Sequence, residues 1–253
     1  MKNRKQTIQG LFISMRPLQW AKNLAIFAAI IFSGHLFEFA AFWKVFWGFL
    51  SFCLVSSASY LFNDLMDAPF DRRHPLKKER PIAKGIISPQ LATFAIILLF
   101  FLGFCIAAQV NFAFLVLILI FFILHILYTI FLKKRALWDI LTISLSFILR
   151  VLGGEVASGY HLPIWLTFTV VFLSLFIASG KRRSEAILEG DKTRPVLRQY
   201  RVQLIDFYLS IFAVATLIAY SLFTYFAGPQ TFAQHYLQEI FGFQSYLLID
   251  RKW

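Results

Sequence analysis

The chain has 253 residues, 59% of them hydrophobic and only 15% charged, with 31 Phe, whereas a soluble domain carries about a quarter charged residues. Apolar stretches of about 20 residues recur along it, each long enough to cross a hydrocarbon core roughly 30 Å thick. This excludes a soluble globular enzyme, a disordered chain and a disulfide-stapled secreted domain, and the formal net charge of +12 belongs to a membrane setting rather than to nucleic-acid binding.

In chain order, an amphipathic stretch with Leu11, Phe12 and Met15 precedes the first apolar run, which is too long and too aromatic for a cleavable signal peptide. Apolar runs set against polar interruptions predict helices over 17–37, 43–66, 89–109, 112–132, 137–158, 163–180 and 203–227. Barrel strands do not fit, because the runs are too long and lack period-two alternation. The segment 233–249 contains His235, Gln238, Glu239 and Gln244; it reads either as an eighth crossing or as an interfacial helix. Cys53 and Cys105 fall inside apolar runs and read as small hydrophobes. The expectation is an all-α integral membrane protein of seven or eight transmembrane helices. It forms a single domain over 1–253, with an Asp-rich loop at 63–88 and a second polar loop at 180–201.

Charge sets the orientation. Of the 25 Lys and Arg, five precede or open the first helix, six lie at 67–88, three at 133–135 and seven between Lys181 and Arg201, while Lys44 alone falls in the opposite loops. By the positive-inside rule the N-terminus and the basic loops face the cytoplasm, and the protein sits in the cytoplasmic (inner) membrane.

The densest chemistry is where the second helix runs into its loop. Asp64, Asp67 and Asp71 are three and four residues apart and so share one face of a helix. Converging carboxylates at a membrane boundary repel one another and are costly to desolvate. A divalent cation relieves that, and Mg²⁺ favours a few carboxylates completed by water and phosphate. A solvated acidic helix end is the plainer reading. Pro69 would clash with the carbonyl of Leu65 in a continuous helix, so the helix is expected to end near Asp67. Arg72, Lys77, Lys78, Arg80 and Lys84 follow at once, and acids followed by bases suit a metal–diphosphate site. Arg80-Pro81 and Gly85 imply defined turns.

Further along, Arg150 lies in an apolar helix five residues before Glu155; it reads as paired with a carboxylate or, preferably, as facing a phosphate-binding cavity. Lys22 and Asn23 interrupt the first helix, where a snorkelling Lys is the alternative. Asp139 reads as a cap or as a cavity carboxylate. His74 belongs to a loop network, and His35, His125, His161 and His235 show no ligand spacing.

Asn63-Asp64-x-x-Asp67-x-x-x-Asp71 followed by Arg80-Pro-Ile-Ala-x-Gly85 resembles the UbiA superfamily of intramembrane prenyltransferases, over about Arg16 to Tyr200. Within it the chain is most similar to the polyprenyl-phosphate phosphoribosyltransferase branch. The supporting stretches are Arg16-Pro-Leu-Gln-Trp-Ala-Lys22-Asn23, Asp71-Arg72-x-His74-Pro75-x-Lys77-x-x-Arg80-Pro81, Tyr128 with Lys133 and Asp139, Leu149-Arg150-x-x-x-Gly154, and Gly180-Lys181-Arg182-x-x-Glu185 with Arg194 and Tyr200.

The resemblance implies a UbiA-type bundle with a cytoplasm-facing polar cavity open laterally to lipid. It implies transfer of phosphoribosyl from 5-phosphoribosyl 1-diphosphate to a polyprenyl phosphate, with Mg²⁺ held by Asn63, Asp64, Asp67 and Asp71. Asp64, Asp67, Arg150 and Lys181 are then the catalytic candidates. Lys22, Asn23, Lys77, Arg80, Tyr128, Lys133, Asp139, Arg182 and Glu185 are the substrate-binding ones. Prenyl-transferring relatives usually carry a second Asp-rich motif where this chain has Lys181, Arg182 and Glu185, which suggests direct phosphate contacts there. The C-terminal stretch does not resemble a full final helix pair. Two other readings stay open: prenyl transfer from a prenyl diphosphate to an aromatic acceptor, and a nonenzymatic lipid-binding protein or transporter.

Overall fold

A computed structural model describes residues 4–134, 136–189 and 202–227. Among these the regular structure is entirely helical. α1 (Arg4–Met15) leads into a 3-10 segment (Pro17–Phe27) and a short α2 (Ala28–Phe32). Then come α3 (Phe39–Asp71), α4 (Pro89–Val110), α5 (Phe112–Ile130), α6 (Ala136–Ser158), α7 (Ile164–Glu189) and α8 (Val202–Ala227). Six of the described helices, α3 to α8, are long and apolar enough to cross a membrane, and the protein is an integral membrane protein. The segment 233–249 lies outside the described residues.

Three elements differ from the expected ones. The predicted first helix is instead 11 residues of 3-10 helix followed by five of α-helix. At rises of about 2.0 and 1.5 Å per residue it still extends roughly 30 Å. Pro17 opens it, and its backbone is drawn hard against α6: a Cβ at Gly154 would run into the Ile26 carbonyl. Second, α3 runs through Pro69 to Asp71. The lost backbone bond is offset by Arg80, whose Nη1 donates to Asp64 Oδ1 at 3.0 Å and to Asp71 Oδ2 at 2.8 Å. Those carboxylates stand two turns apart, so one guanidinium clamps the proline turn from its side. Third, α7 continues to Glu189, so the first part of the expected loop at 180–201 is helical and the rest lies outside the described residues.

α3 is the central helix, packed by α1, the 3-10 segment, α4, α5 and α6. Its Phe52 meets Phe114 and Phe121 of α5 edge-on, with centroids 5.8 and 5.0 Å apart, and all three are buried. α8 packs on α7 and leaves Phe207, Leu217 and Tyr225 exposed, as lipid contact requires. Cys53 is buried, but Cys105 is on the outer surface rather than in the packed interior.

The ends of the helices are fixed locally. Ser88 Oγ accepts from Leu91 N at the start of α4, with Pro89 in the first turn. Asn111 Oδ1 accepts from Phe114 N at the start of α5, while its Nδ2 donates to Val156 O of α6.

Candidate active site

The site begins at the junction of α1 and the 3-10 segment. A proline disfavours right-handed helical backbone in the residue before it, and Arg16, before Pro17, turns at φ 54° and ψ 59°. Left-handed backbone costs a non-glycine residue about 1–2 kcal/mol. It brings the Arg16 guanidinium to 2.5 Å from Asp64 Oδ1 and over the Tyr60 ring at 5.1 Å.

α1 folds back over the loop after α3, its Leu11 and Met15 packing with Ile82 and Ile87. The loop itself is turned, not slack. His74 Nδ1 accepts from the backbone N–H groups of Leu76 and Lys77, Arg72 Nε donates to Ala83 O, and Gly85 takes φ 78° where Ile86 N returns to Pro81 O. Lys77 and Arg80 are thereby held over the end of α3.

Two connected lobes form the polar cavity, with volumes of about 270 and 130 Å³. The outer lobe is lined by Arg16, Lys77 and Arg80 together with Asn63 and Thr129. Lys22, Arg150, Thr142 and Ser146 contribute to the inner lobe. Tyr60, His125, Tyr128 and Lys181 border both and make a waist between them. Among the described residues six cationic side chains line the cavity, and neither lobe's lining includes a carboxylate.

Carboxylates stand behind this wall. Asp64, 3% exposed, is held by Arg16 and Arg80. Asp71 is held by Arg80, and Asp67 Oδ1 by Lys133 Nζ at 2.5 Å. Asp64 and Asp71 thus meet at one Arg80 nitrogen, and basic side chains offset the repulsion within the acidic cluster. Among the described residues no three carboxylate, His or Cys groups are close enough to hold a metal by themselves. The donor set suits Mg²⁺ differently: Asn63 borders the cavity, Asp64 and Asp67 are hard oxygen donors, and a Mg²⁺ on one or two carboxylates takes its other ligands from phosphate and water. Asp71 is buried and paired with the same Arg80 nitrogen that reaches Asp64.

Several expected substrate contacts turn out to be supports. Arg182, 1% exposed, is ion-paired through Nε with buried Asp139 and also donates from Nη2 to Asp139 Oδ1 at 2.9 Å. Tyr128 donates its hydroxyl hydrogen to the same Oδ1 at 2.8 Å. Consecutive positions on a helix point about 100° apart, so α7 sends Lys181 to the cavity and Arg182 into the protein. Arg182 and Asp139 thus hold the Tyr128 hydroxyl at the cavity wall. Asn23 is fully buried: its Oδ1 accepts from Arg150 Nε at 2.7 Å, and its Nδ2 donates to Cys53 Sγ at 3.3 Å. Lys133 is engaged with Asp67 outside the cavity lining. Glu185 lies on α7, with its side chain outside the described residues.

Among the described residues Arg150 has no carboxylate partner. Its Nη1 donates to the Ser146 carbonyl and hydroxyl oxygens, and its guanidinium carbon stands 4.8 Å from the Phe121 ring centroid. Glu155 instead accepts from Leu162 N near His161. Sequence reasoning had no role for Tyr60, Thr129 or His125 in the site. Arg16 opened one of the quoted stretches but was not counted among the site residues.

This combination of a helical membrane bundle with a basic, aspartate-backed cavity defines a class. The model of the UbiA prenyltransferase family matches residues 24–252, and the chain belongs to that family; it is a UbiA-superfamily transferase. It is 33% identical over 228 residues to the decaprenyl-phosphate phosphoribosyltransferase of Mycolicibacterium smegmatis, covering 87% of this chain and 72% of that one. To the enzyme of the same name from Corynebacterium glutamicum it is 34% identical over 225 residues, covering 86% and 68%. A solved UbiA homolog from Archaeoglobus fulgidus bound to GPP and Mg²⁺ superimposes with a TM-score of 0.74 at 22% identity, over 89% of this chain and 84% of that one.

Proposed function

We propose that this transferase moves a 5-phosphoribosyl group from 5-phosphoribosyl 1-diphosphate to a polyprenyl phosphate, releasing diphosphate, with the cavity facing the cytoplasm. The observation that carries this reading is the gathering of six cations, Arg16, Lys22, Lys77, Arg80, Arg150 and Lys181, around one cavity. Such a reaction gathers the donor's 5-phosphate, its diphosphate and the lipid phosphate in one place, and Lys and Arg are the side chains that neutralise and orient phosphate. The two relatives named decaprenyl-phosphate phosphoribosyltransferase support the same substrates.

The outer lobe, with Arg16, Lys77 and Arg80, receives the donor diphosphate, and the inner lobe, with Lys22 and Arg150, receives a second phosphate. Asn63, Asp64 and Asp67 would hold Mg²⁺, which when bound neutralises charge on the leaving diphosphate. As the bond from C1 to the diphosphate oxygen breaks, the electron pair leaves with diphosphate and the sugar becomes oxocarbenium-like. An oxygen of the lipid phosphate, already anionic near neutral pH, closes the new bond to C1 with no proton to remove. Lys181 and Tyr128, at the waist, border both lobes and are set to contact groups on either side of C1.

The test uses purified protein, Mg²⁺ and a short polyprenyl phosphate, with labelled phosphoribosyl diphosphate in one arm and prenyl diphosphate plus 4-hydroxybenzoate in the other. A labelled phosphoribosyl lipid is expected, falling on the order of 10²-fold or more in Asp64→Ala and Asp67→Ala. Prenylated aromatic product in place of it overturns the substrates and leaves the fold and family standing.

A further inference from the structure

His125 stands at the waist of the cavity, and the chemistry above makes no use of it. On α5 it lies one turn after Phe121, and its Nδ1 is 2.9 Å from the Phe121 carbonyl oxygen. A carbonyl oxygen only accepts, so Nδ1 carries the hydrogen, and the neutral ring keeps a bare lone pair on Nε2. The Phe121 ring, 4.3 Å away between centroids, occupies a further part of its surroundings. Among the described residues no group donates to Nε2. What His125 offers the cavity is therefore a hydrogen-bond acceptor with no hydrogen of its own at that atom, at a waist where the other polar side chains, Tyr60, Tyr128 and Lys181, all carry a hydrogen to donate.

That acceptor is out of place for a site that binds phosphate alone. An ionised phosphate oxygen has no hydrogen to give, and its lone pairs face a bare imidazole nitrogen unfavourably. The waist instead suits a ligand portion that carries an O–H and lies between two anionic groups. A donor reacting at C1, between its diphosphate and an incoming phosphate, has its sugar hydroxyls there. A prenyl diphosphate presents only hydrocarbon at that point.

We propose that His125 Nε2 accepts a hydrogen bond from a ribose hydroxyl of the donor and so selects a hydroxyl-bearing diphosphate over a hydrocarbon one. This rests on the phosphoribosyl reading and names a residue that enforces it. Sites built to bond a substrate hydroxyl reject analogues that lack it, because the site's own polar group is then left unpaired.

The experiment is equilibrium binding to full-length protein in lipid nanodiscs with Mg²⁺. The probes are phosphoribosyl diphosphate, its 2-deoxy and 3-deoxy analogues, inorganic diphosphate and geranyl diphosphate. Wild type is expected to prefer the full sugar over one deoxy analogue by about tenfold. His125→Phe is expected to erase that preference while binding inorganic diphosphate as wild type does, which also reports a folded site. His125→Gln, which restores an acceptor, is expected to recover part of the preference. A preference that survives in His125→Phe overturns the proposal. So does an equal loss of inorganic diphosphate in both variants, which assigns the ring to phosphate binding or to packing. Wild type that binds geranyl diphosphate and no phosphoribosyl diphosphate overturns the phosphoribosyl reading itself, and this inference with it.

Discussion

Arg150 and Arg182 are both buried in apolar helices, 2% and 1% exposed, and differ in what faces them. Arg182 is neutralised by Asp139; among the described residues Arg150 is met by Asn23, Ser146 and two phenylalanine faces. Removing one partner of a buried ion pair costs about 3–5 kcal/mol, because the other charge is left buried and alone. Arg182→Met is therefore expected to lower the thermal unfolding midpoint in detergent sharply, and Asp139→Asn in the same chain to recover part of the loss. Arg150→Met is expected to unfold near the wild-type temperature and to lose inorganic diphosphate affinity by at least about tenfold. Arg150 was legible as an expensive residue needing a reason, whereas Arg182 read as a loop residue contacting phosphate. Which one is internally neutralised was not legible, because Asp139 lies 43 positions from Arg182 and no local pattern reports that pairing. The acidic run Asp64, Asp67 and Asp71 was legible as a cluster on one face. Its neutralisation by Arg16, Arg80 and Lys133 depends on side chains arriving from three other segments.

At the scale of elements, the apolar runs located α3 to α8 closely, since hydropathy and helix length are local properties of the chain. The departures came from tertiary contacts. The proline turn in α3 is stabilised by a guanidinium nine residues beyond Asp71, and the 3-10 segment is seated against a glycine of α6. That contact is directly testable. Gly154→Ala sets a methyl group against the Ile26 backbone, which yields less readily than a flexible side chain. A loss of about 3 kcal/mol or more is expected, at the upper end of overpacking costs. Because the displaced segment carries Lys22 and Asn23, inorganic diphosphate binding should weaken with it. Gly180→Ala is the contrasting variant: its added carbon meets only Leu209 Cδ2, at 3.7 Å. Its helix should gain up to about 1 kcal/mol, read as an unchanged or raised unfolding midpoint.

Across the whole molecule, the charge asymmetry that orients the bundle and the charge that lines the cavity are partly the same residues. Arg16, Lys22, Lys77, Arg80 and Lys181 count in both, which is why composition alone pointed to the membrane and left the site unresolved. The proposed orientation has its own test in a Cys105→Ala background. A cysteine at Lys78, in the loop after α3, should react with an impermeant maleimide only from the cytoplasmic side, and one at Phe37, at the opposite end of α3, only from the outside. Reversed labelling would invert the topology. The cavity draws its walls from the stretches around residues 16–22, 59–63, 77–80, 125–129, 142–150 and 181, and nothing short of the folded bundle brings these together.

The waist has a consequence for inhibition. Tyr60, His125, Tyr128 and Lys181 serve both lobes, so the two compartments are close enough for one small molecule to bridge. A compound with an anionic group at each end and a short hydroxylated spacer would make its second engagement intramolecular. Such tethering raises apparent affinity by about 10²–10⁴-fold over either half alone without any new contact. An aromatic ring at the spacer, with no hydroxyl to offer His125, would forfeit the contact proposed for the sugar there.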